Sequence, residues 1–460
     1  AKKKKDLHEE IGKGIEELYK ETLAEYYGVL AEHFFVGENY AKAAEYLRMA
    51  GRKAEKAASF PDAIAHAKKR ITCLEKLPMT DEGQRNIIDA RTVLGLYLAQ
   101  QNYFFEAKEA VNPIVDLAIR HGNKKRLCQI YTILGTYHYF VDDDLQKAFK
   151  ALEEALTISE EVKDIVSSAL ASFWFGVALS LNCEYERGIS CMQRALAINQ
   201  AARSLWGIAV VKANLAYFYY YLEGRITLQF QTSAEALRLA EESGDIFSKG
   251  MAYGSHGVSC YGKRTLEEAE KHLLKGIEFC ERINLHVWNA IAHAYLGETY
   301  FEMREFQKAK AYFEKAYSVL EQNRLFPSWV GSRKIGSARL KVMNREQDVD
   351  LNNLYALAEN NKVRSLESWT SRYMGEILLN IDDQHMPEAE HWIQKAIEAD
   401  QRNGMKFHLG NDCALYAELF KRKGDRAKAR EILGKAIEIL KECGADGWVS
   451  KYDKDLAALT

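Results

Sequence analysis

Apolar residues along this chain fall at spacings of three and four, in stretches broken by short polar turns, and the pattern returns with a period of about forty residues. The clearest unit is 289–323. Its first stretch carries Tyr295, Leu296, Gly297 and Tyr300, a turn follows around Arg304, and the second carries Phe306, Ala309, Phe313, Ala316 and Leu320. These spacings put the apolar residues on one face of each of two helices. A Gly or Ala recurs near the end of each first helix: Gly95, Gly135, Gly176, Ala216, Gly257, Gly297, Ala338, Gly375 and Ala417. A second small residue often follows twelve positions later, as at Ala107, Gly188, Ala269, Ala309 and Ala429. Helices that cross at close range need small residues at the contact. The pattern therefore predicts an all-α chain, an α-solenoid in which each helical pair buries its apolar face on its neighbours.

Nine such units occupy residues 84–445. The unit marked by Ala338 keeps little beyond its spacing, and the one marked by Ala216 has Leu228 where a small residue is expected. Residues 21–83 read as a divergent tenth pair centred on Ala31 plus an additional helix over 61–77, opened by Pro61. Residues 1–20 read as a junction helix or linker from an upstream domain, and 446–460 as a capping helix. Pro113 falls inside a second helix and predicts a break there. The chain starts at Ala1 without Met, in a run of four lysines, and is expected to be excised from a longer polypeptide.

The run A-x-L-G-x-x-Y over 294–300, a small residue at Ala309, then Phe313 and Ala316, resembles the tetratricopeptide repeat in a longer form of about forty residues. Repeats of this length are similar to those of kinesin light chains, spindle-orientation adaptors and signalling ATPases of the maltose-regulon type. The resemblance implies a right-handed superhelix of about ten helical pairs. Residues 7–56 are similar to the region that follows the ATPase core in large bacterial proteins joining a nucleotide cyclase or kinase, an ATPase and a helical-repeat tail. The ending Gly444-Ala445-Asp446-Gly447-Trp448 has the same character. That likeness implies the regulatory or sensory region of a larger signalling protein. The alternative is a free-standing adaptor that assembles protein partners, and a third, disfavoured reading is an enzyme with an unrecognised site.

In arrays of this family the first helices line a concave groove that holds a protein or peptide segment, which here could belong to the same parent chain. Counted from the small marker residue, groove positions lie at −6, −3, +1 and +4, one face of a helix. Candidate groove residues are Tyr139, Phe173, Val177, Val210, Tyr217, Tyr220, Met251, Val258, Tyr261, Ile291 and Phe301. Asn214 joins them, at the position where such repeats hold a peptide backbone amide. Later repeats give Arg339, Trp369, Arg372 and Glu376, so the expected groove is apolar and aromatic in its middle and charged toward its end. An exposed apolar stripe of this kind would be a partner surface.

Composition narrows the partners. With 63 basic and 65 acidic residues the formal charge is −2, which supplies no general attraction for nucleic acid or acidic lipid. The eight cysteines are scattered without a C-x-x-C pair, the usage of a reducing, cytoplasmic setting. The most apolar stretch, 208–222, is short for a membrane span and is interrupted by Lys212 and Asn214. Gly257, Gly262 and Lys263 fit G-x-x-x-x-G-K, but Arg264 stands where a phosphate loop needs Ser or Thr, and the stretch reads as a helix end. His286 with His293, and His385 with His391, lack the spacing of a two-ligand helical motif. No nucleophile elbow or kinase signature occurs. The sequence thus leads to the expectation of no catalytic residue, no cofactor and no metal, with a protein or peptide partner and neither nucleic acid nor membrane.

Overall fold

The computed structural model describes residues 2–57, 59–346 and 349–459, and these form helices joined by short turns, with no strand among them. A leading helix α1 (Lys2–Leu18) precedes the hairpin α2 (Tyr27–Val36) and α3 (Tyr40–Lys56), and the single helix α4 (Phe60–Leu74) follows. The next hairpin joins α5 (Asp81–Gln100) to α6 (Phe104–Val111) and α7 (Val115–Arg120). Then come α8 (Lys124–Phe140) with α9 (Leu145–Glu161), and α10 (Ile165–Leu181) with α11 (Tyr185–Ala201). Helix α12 (Leu205–Asn214) runs on through a π-helical segment, Leu215–Tyr221, to pair with α13 (Ile226–Ser243). The later hairpins are α14 (Ile246–Lys263) with α15 (Leu266–Arg282), and α16 (His286–Glu302) with α17 (Phe306–Gln322). They continue as α18 (Pro327–Met343) with α19 (Leu351–Glu359), α20 (Glu367–Ile381) with α21 (Met386–Asn403), and α22 (Lys406–Arg422) with α23 (Arg426–Cys443). Helix α24 (Asp446–Ala457) closes the series. The chain is all-α and built of repeated hairpins.

It divides into two compact units: residues 1–137 with 150–171, and residues 138–149 with 172–460. The lone helix expected over 61–77 is α4, and the break expected at Pro113 is a 3-10 turn, Asn112–Ile114, between α6 and α7. No helix among the described residues is long and apolar enough to cross a membrane.

The recurrent small residue has a direct packing cause. A Cβ on Gly297 would stand 2.6 Å from the Phe313 ring, one on Gly257 2.6 Å from Leu273, and one on Gly375 2.6 Å from Ile393. The marker therefore makes room for a large side chain of the facing helix, and the small residue at Ala309 lies beside that contact, its carbonyl 3.2 Å from the same Cβ position on Gly297. Turn chemistry is equally local. Gly244 closes α13 in the left-handed conformation at φ +71°, and the Asp245 side chain opens α14 by accepting from the Ser248 N–H at 2.7 Å.

In the second unit the last helices return onto the middle ones. Lys263 Nζ donates to the Gly444 carbonyl at 2.6 Å and lies 3.1 Å from the Asp446 carboxylate. Trp448 Nε1 donates to the Tyr261 carbonyl at 3.1 Å, and Lys451 pairs with Glu302 at 2.7 Å. Gly444 sits at φ +71° against Thr227, and Gly447 lies against the Lys263 carbonyl, where a side chain would collide. The ending Gly444 to Trp448 is thus the turn that docks α24 onto the C-terminal end of α14.

Candidate functional site

The residues one step past the small marker form a ladder in the second unit. Glu298, Arg339 and Glu376 occupy this position in three successive first helices, α16, α18 and α20. Arg339, 2% exposed, pairs with Glu298 at 3.1 Å and with Glu376 at 3.2 Å. Its guanidinium lies 4.0 Å from the Phe301 ring centre and 4.4 Å from that of Tyr373, stacked between two aromatic faces. The Tyr373 hydroxyl donates to the other oxygen of Glu298. Burial works against the Glu298 charge, but Arg339 and Tyr373 together hold its carboxyl below the ordinary range. Burial dominates at Glu376, whose carboxyl is raised.

A second polar group lies along α20 to α22. Arg372 pairs with Asp412 at 3.0 Å, and Trp369 Nε1 donates to His408 Nδ1 at 2.7 Å. That bond fixes the proton of the neutral imidazole on Nε2, which is buried without a partner. Burial, with Arg372 nearby, keeps His408 neutral by lowering it well below its usual range. Asp400, fully buried, has neither carboxylate oxygen in a well-formed hydrogen bond, and burial beside Asp412 pushes it well above the carboxylate range. The same burial moves Asp412 up to about 6 against the pull of Arg372. Arg333 adds a buried guanidinium whose Nη2 has no partner, 5.2 Å over the Trp369 ring. So many unpaired polar atoms in one interior are unusual, because each costs desolvation without return.

Aromatic residues connect this region to the middle repeats. Tyr217 lies 5.5 Å from Trp288 and 5.8 Å from Tyr295, and Tyr261 lies 5.7 Å from Tyr295 and 5.4 Å from Trp448. Tyr221 reaches Phe407 at 5.5 Å and His408 at 5.2 Å. The groove register therefore converges on one interior, but the exposure expected of an open stripe is absent there. Tyr139, Val177, Val210, Asn214, Tyr217, Met251, Val258, Tyr261 and Ile291 are buried, and Phe173, Tyr220 and Phe301 half-buried. Part of the cover comes from Phe407 and Trp448 of the same chain.

Local geometry explains two further placements. The π-helical segment inserts a residue into the turn, so Tyr221 enters the interior, while Tyr220 turns toward Arg225, 5.1 Å from its guanidinium. Asn214 Nδ2 donates to its own helix at the Val210 carbonyl, 2.8 Å away, and is 2% exposed. The stretch from Gly257 to Lys263 is helical, and its lysine is engaged by Gly444 and Asp446. Where the last hairpin meets α13, a cleft of ≈ 490 Å³ opens, lined by Glu223, Arg225, Thr227, Lys406, Lys441 and Glu442 among others.

Sequence reasoning passed over Glu298, although it sits at the marker-plus-one position. It also missed Asp400, Asp412 and His408, whose burial no periodicity reveals. Away from this interior, His256, Cys260 and His272 have the chemistry to hold a metal ion among the described residues.

The tetratricopeptide repeat family matches residues 248–322, the two hairpins α14 to α17. No curated protein matches the chain. Among solved structures, a Rap protein complexed with competence and sporulation factor is similar at 12% identity and TM-score 0.44, over 89% of this chain and 97% of that one. A signal transduction ATPase with numerous domains and a tetratricopeptide repeat sensor, from Pyrococcus horikoshii, is similar at 14% identity and TM-score 0.42, over 85% of this chain and 55% of that one. Aspartyl phosphate phosphatase F from Bacillus subtilis is similar at 12% identity and TM-score 0.44, over 87% and 94%.

Proposed function

We propose that this chain is a non-catalytic helical-repeat module that recognises a protein or peptide segment, as the regulatory or sensory region of a larger cytoplasmic signalling protein. One observation carries the reading: the same register of successive first helices converges on one interior, which holds unpaired polar groups inside an aromatic surround. Arg333 Nη2 and His408 Nε2 are buried without partners. Such groups are costly in a closed core and useful to a ligand that completes them. The family match at 248–322 supports a repeat module that binds protein or peptide, and the likeness of 7–56 to the segment after a signalling ATPase core supports the place in a larger protein.

Admission of a segment requires the contacts of Lys263 and Trp448 with the opposite helices to open. Binding and opening are then coupled, since a ligand that favours the open form shifts the population toward it.

The test compares three forms of the chain: wild type, a Lys263→Ala/Trp448→Ala variant that loosens the docking turn, and that variant with Tyr217→Ala and Tyr261→Ala added. Partners are captured by photo-crosslinking and the crosslinked positions mapped. Capture should rise on loosening, map to α14 through α22, and fall when the two tyrosines are removed. Equal capture by all three forms, or crosslinks confined to the outer helices, overturns the reading.

A further inference from the structure

The hairpin of α14 and α15 brings together two pairs of residues at one-turn spacing. His256 and Cys260 lie one turn apart on α14, and Glu268 and His272 one turn apart on α15, so each pair shares a helix face. One ligand atom each from His256, Cys260 and His272 lies within 4.8 Å of the others. The two rings meet edge to face with centres 4.8 Å apart.

The surroundings decide which ring nitrogens are available. Ser233 Oγ on α13 engages His256 Nδ1 at 2.9 Å, leaving Nε2 as the nitrogen for another partner. His272 presents Nδ1 to the inside, buried and without a partner, while its Nε2 lies 3.7 Å from the Glu268 carboxylate. Cys260 is 2% exposed and His256 8%, whereas the His272 side chain reaches the surface. Each imidazole thus has one nitrogen left for a metal and a hydroxyl or carboxylate beside the other, the arrangement that orients metal-bound histidines.

We propose that His256, Cys260 and His272 bind a divalent transition-metal ion of the zinc class, with Ser233 and Glu268 orienting the two imidazoles. A thiolate with two imidazoles selects a borderline-soft ion over calcium or magnesium. Four-coordinate bonds of about 2.0–2.3 Å place donor atoms about 3.5 Å apart, so metal binding draws the cluster together by about 1 Å. Three protein ligands leave a fourth coordination position for water. On binding, the Cys260 thiol gives its proton to solvent and the metal takes its place. The ion then ties α14 to α15 within the hairpin.

The full chain, stripped with a chelator, is titrated with cobalt(II). One equivalent should give a thiolate-to-cobalt charge-transfer band with visible bands of tetrahedral intensity, and zinc should displace it. Cys260→Ser should abolish the charge-transfer band and His272→Gln should abolish stoichiometric binding. Glu268→Gln should weaken affinity roughly 10- to 100-fold. The wild type also decides the matter without variants: zinc should raise its melting temperature and slow thiol-reagent labelling of Cys260 while Cys73 labels as before. No charge-transfer band and no zinc protection of Cys260 in the wild type overturns the proposal, as does an unchanged cobalt spectrum in a folded Cys260→Ser variant.

Discussion

The carboxylate of Asp143 accepts a hydrogen bond from the backbone N–H of Ser328 at 2.6 Å, so the first turn of α18 is capped by a residue 185 positions earlier. Helix α18 cannot cap itself, because Phe326 at its N-cap position is held at φ 48° and offers no side-chain acceptor. The Phe326 N–H instead donates to the Phe140 carbonyl at 2.6 Å, and its ring packs 4.8 Å from that of Phe140. Asp143→Ala should therefore cost about 1–2 kcal/mol, read as a lower urea midpoint with an unchanged slope. Asp143→Asn, which keeps an acceptor, should retain most of that stability.

Arg339 is the most committed charge of the interior, bridging Glu298 and Glu376. Arg339→Ala leaves two buried carboxylates facing one another and should destabilise by about 3–5 kcal/mol. Arg339→Lys should be nearly as harmful, since an ammonium cannot fork between two carboxylates while stacked between rings. The neutral triple variant Glu298→Gln/Arg339→Met/Glu376→Gln should recover most of the loss in urea unfolding.

Burial raises Asp412 to about 6 and Asp400 well above its usual range, which gives the fold a definite pH dependence. An unfolded aspartate titrates at about 3.9. From about pH 4 upward to about 6 the folded chain keeps a proton that the unfolded chain has released, so stability falls as pH rises through this window. Asp400→Asn should flatten that slope and raise stability at neutral pH by about 1–3 kcal/mol, checked by thermal melts across the same range.

Two glycines on helices should respond oppositely to alanine. Gly297→Ala places its Cβ 2.6 Å from Phe313 and should cost about 1–3 kcal/mol. Gly434 has nothing within 4 Å of its Cβ position, so Gly434→Ala should stabilise α23 by up to about 1 kcal/mol. Calorimetry on the two single variants is sufficient.

Much of this architecture was legible in the small residues. They mark where a large side chain of the facing helix must fit, as at Gly257, Gly297 and Gly375. The register one step past them identified Arg339 and Glu376 as inward-facing. Their ionic pairing through Glu298 joins three repeats, a relation that periodicity cannot express. The exposure of the central tyrosines was misjudged for a related reason: Phe407 and Trp448 cover them from far along the chain, and no local pattern records such a contact. The π-helical turn after Asn214 exchanged Tyr220 for Tyr221 by one residue of extra winding, again without a local signal. Sequence reasoning passed over His256 with Cys260 and Glu268 with His272 and expected no metal, because one-turn spacing alone does not show that the two pairs face each other across the hairpin.

A linear stack of repeats frays from its end, because the terminal repeat has only one neighbour to lose. The docking of α24 onto Tyr261 and Lys263 changes that arithmetic for the second unit. Its last hairpin holds neighbours on two sides, so detaching it breaks a contact in the middle of the series as well. The end of this unit behaves as a hasp: amide exchange over 446–457 should follow the opening of the whole unit rather than the loosening of a tip.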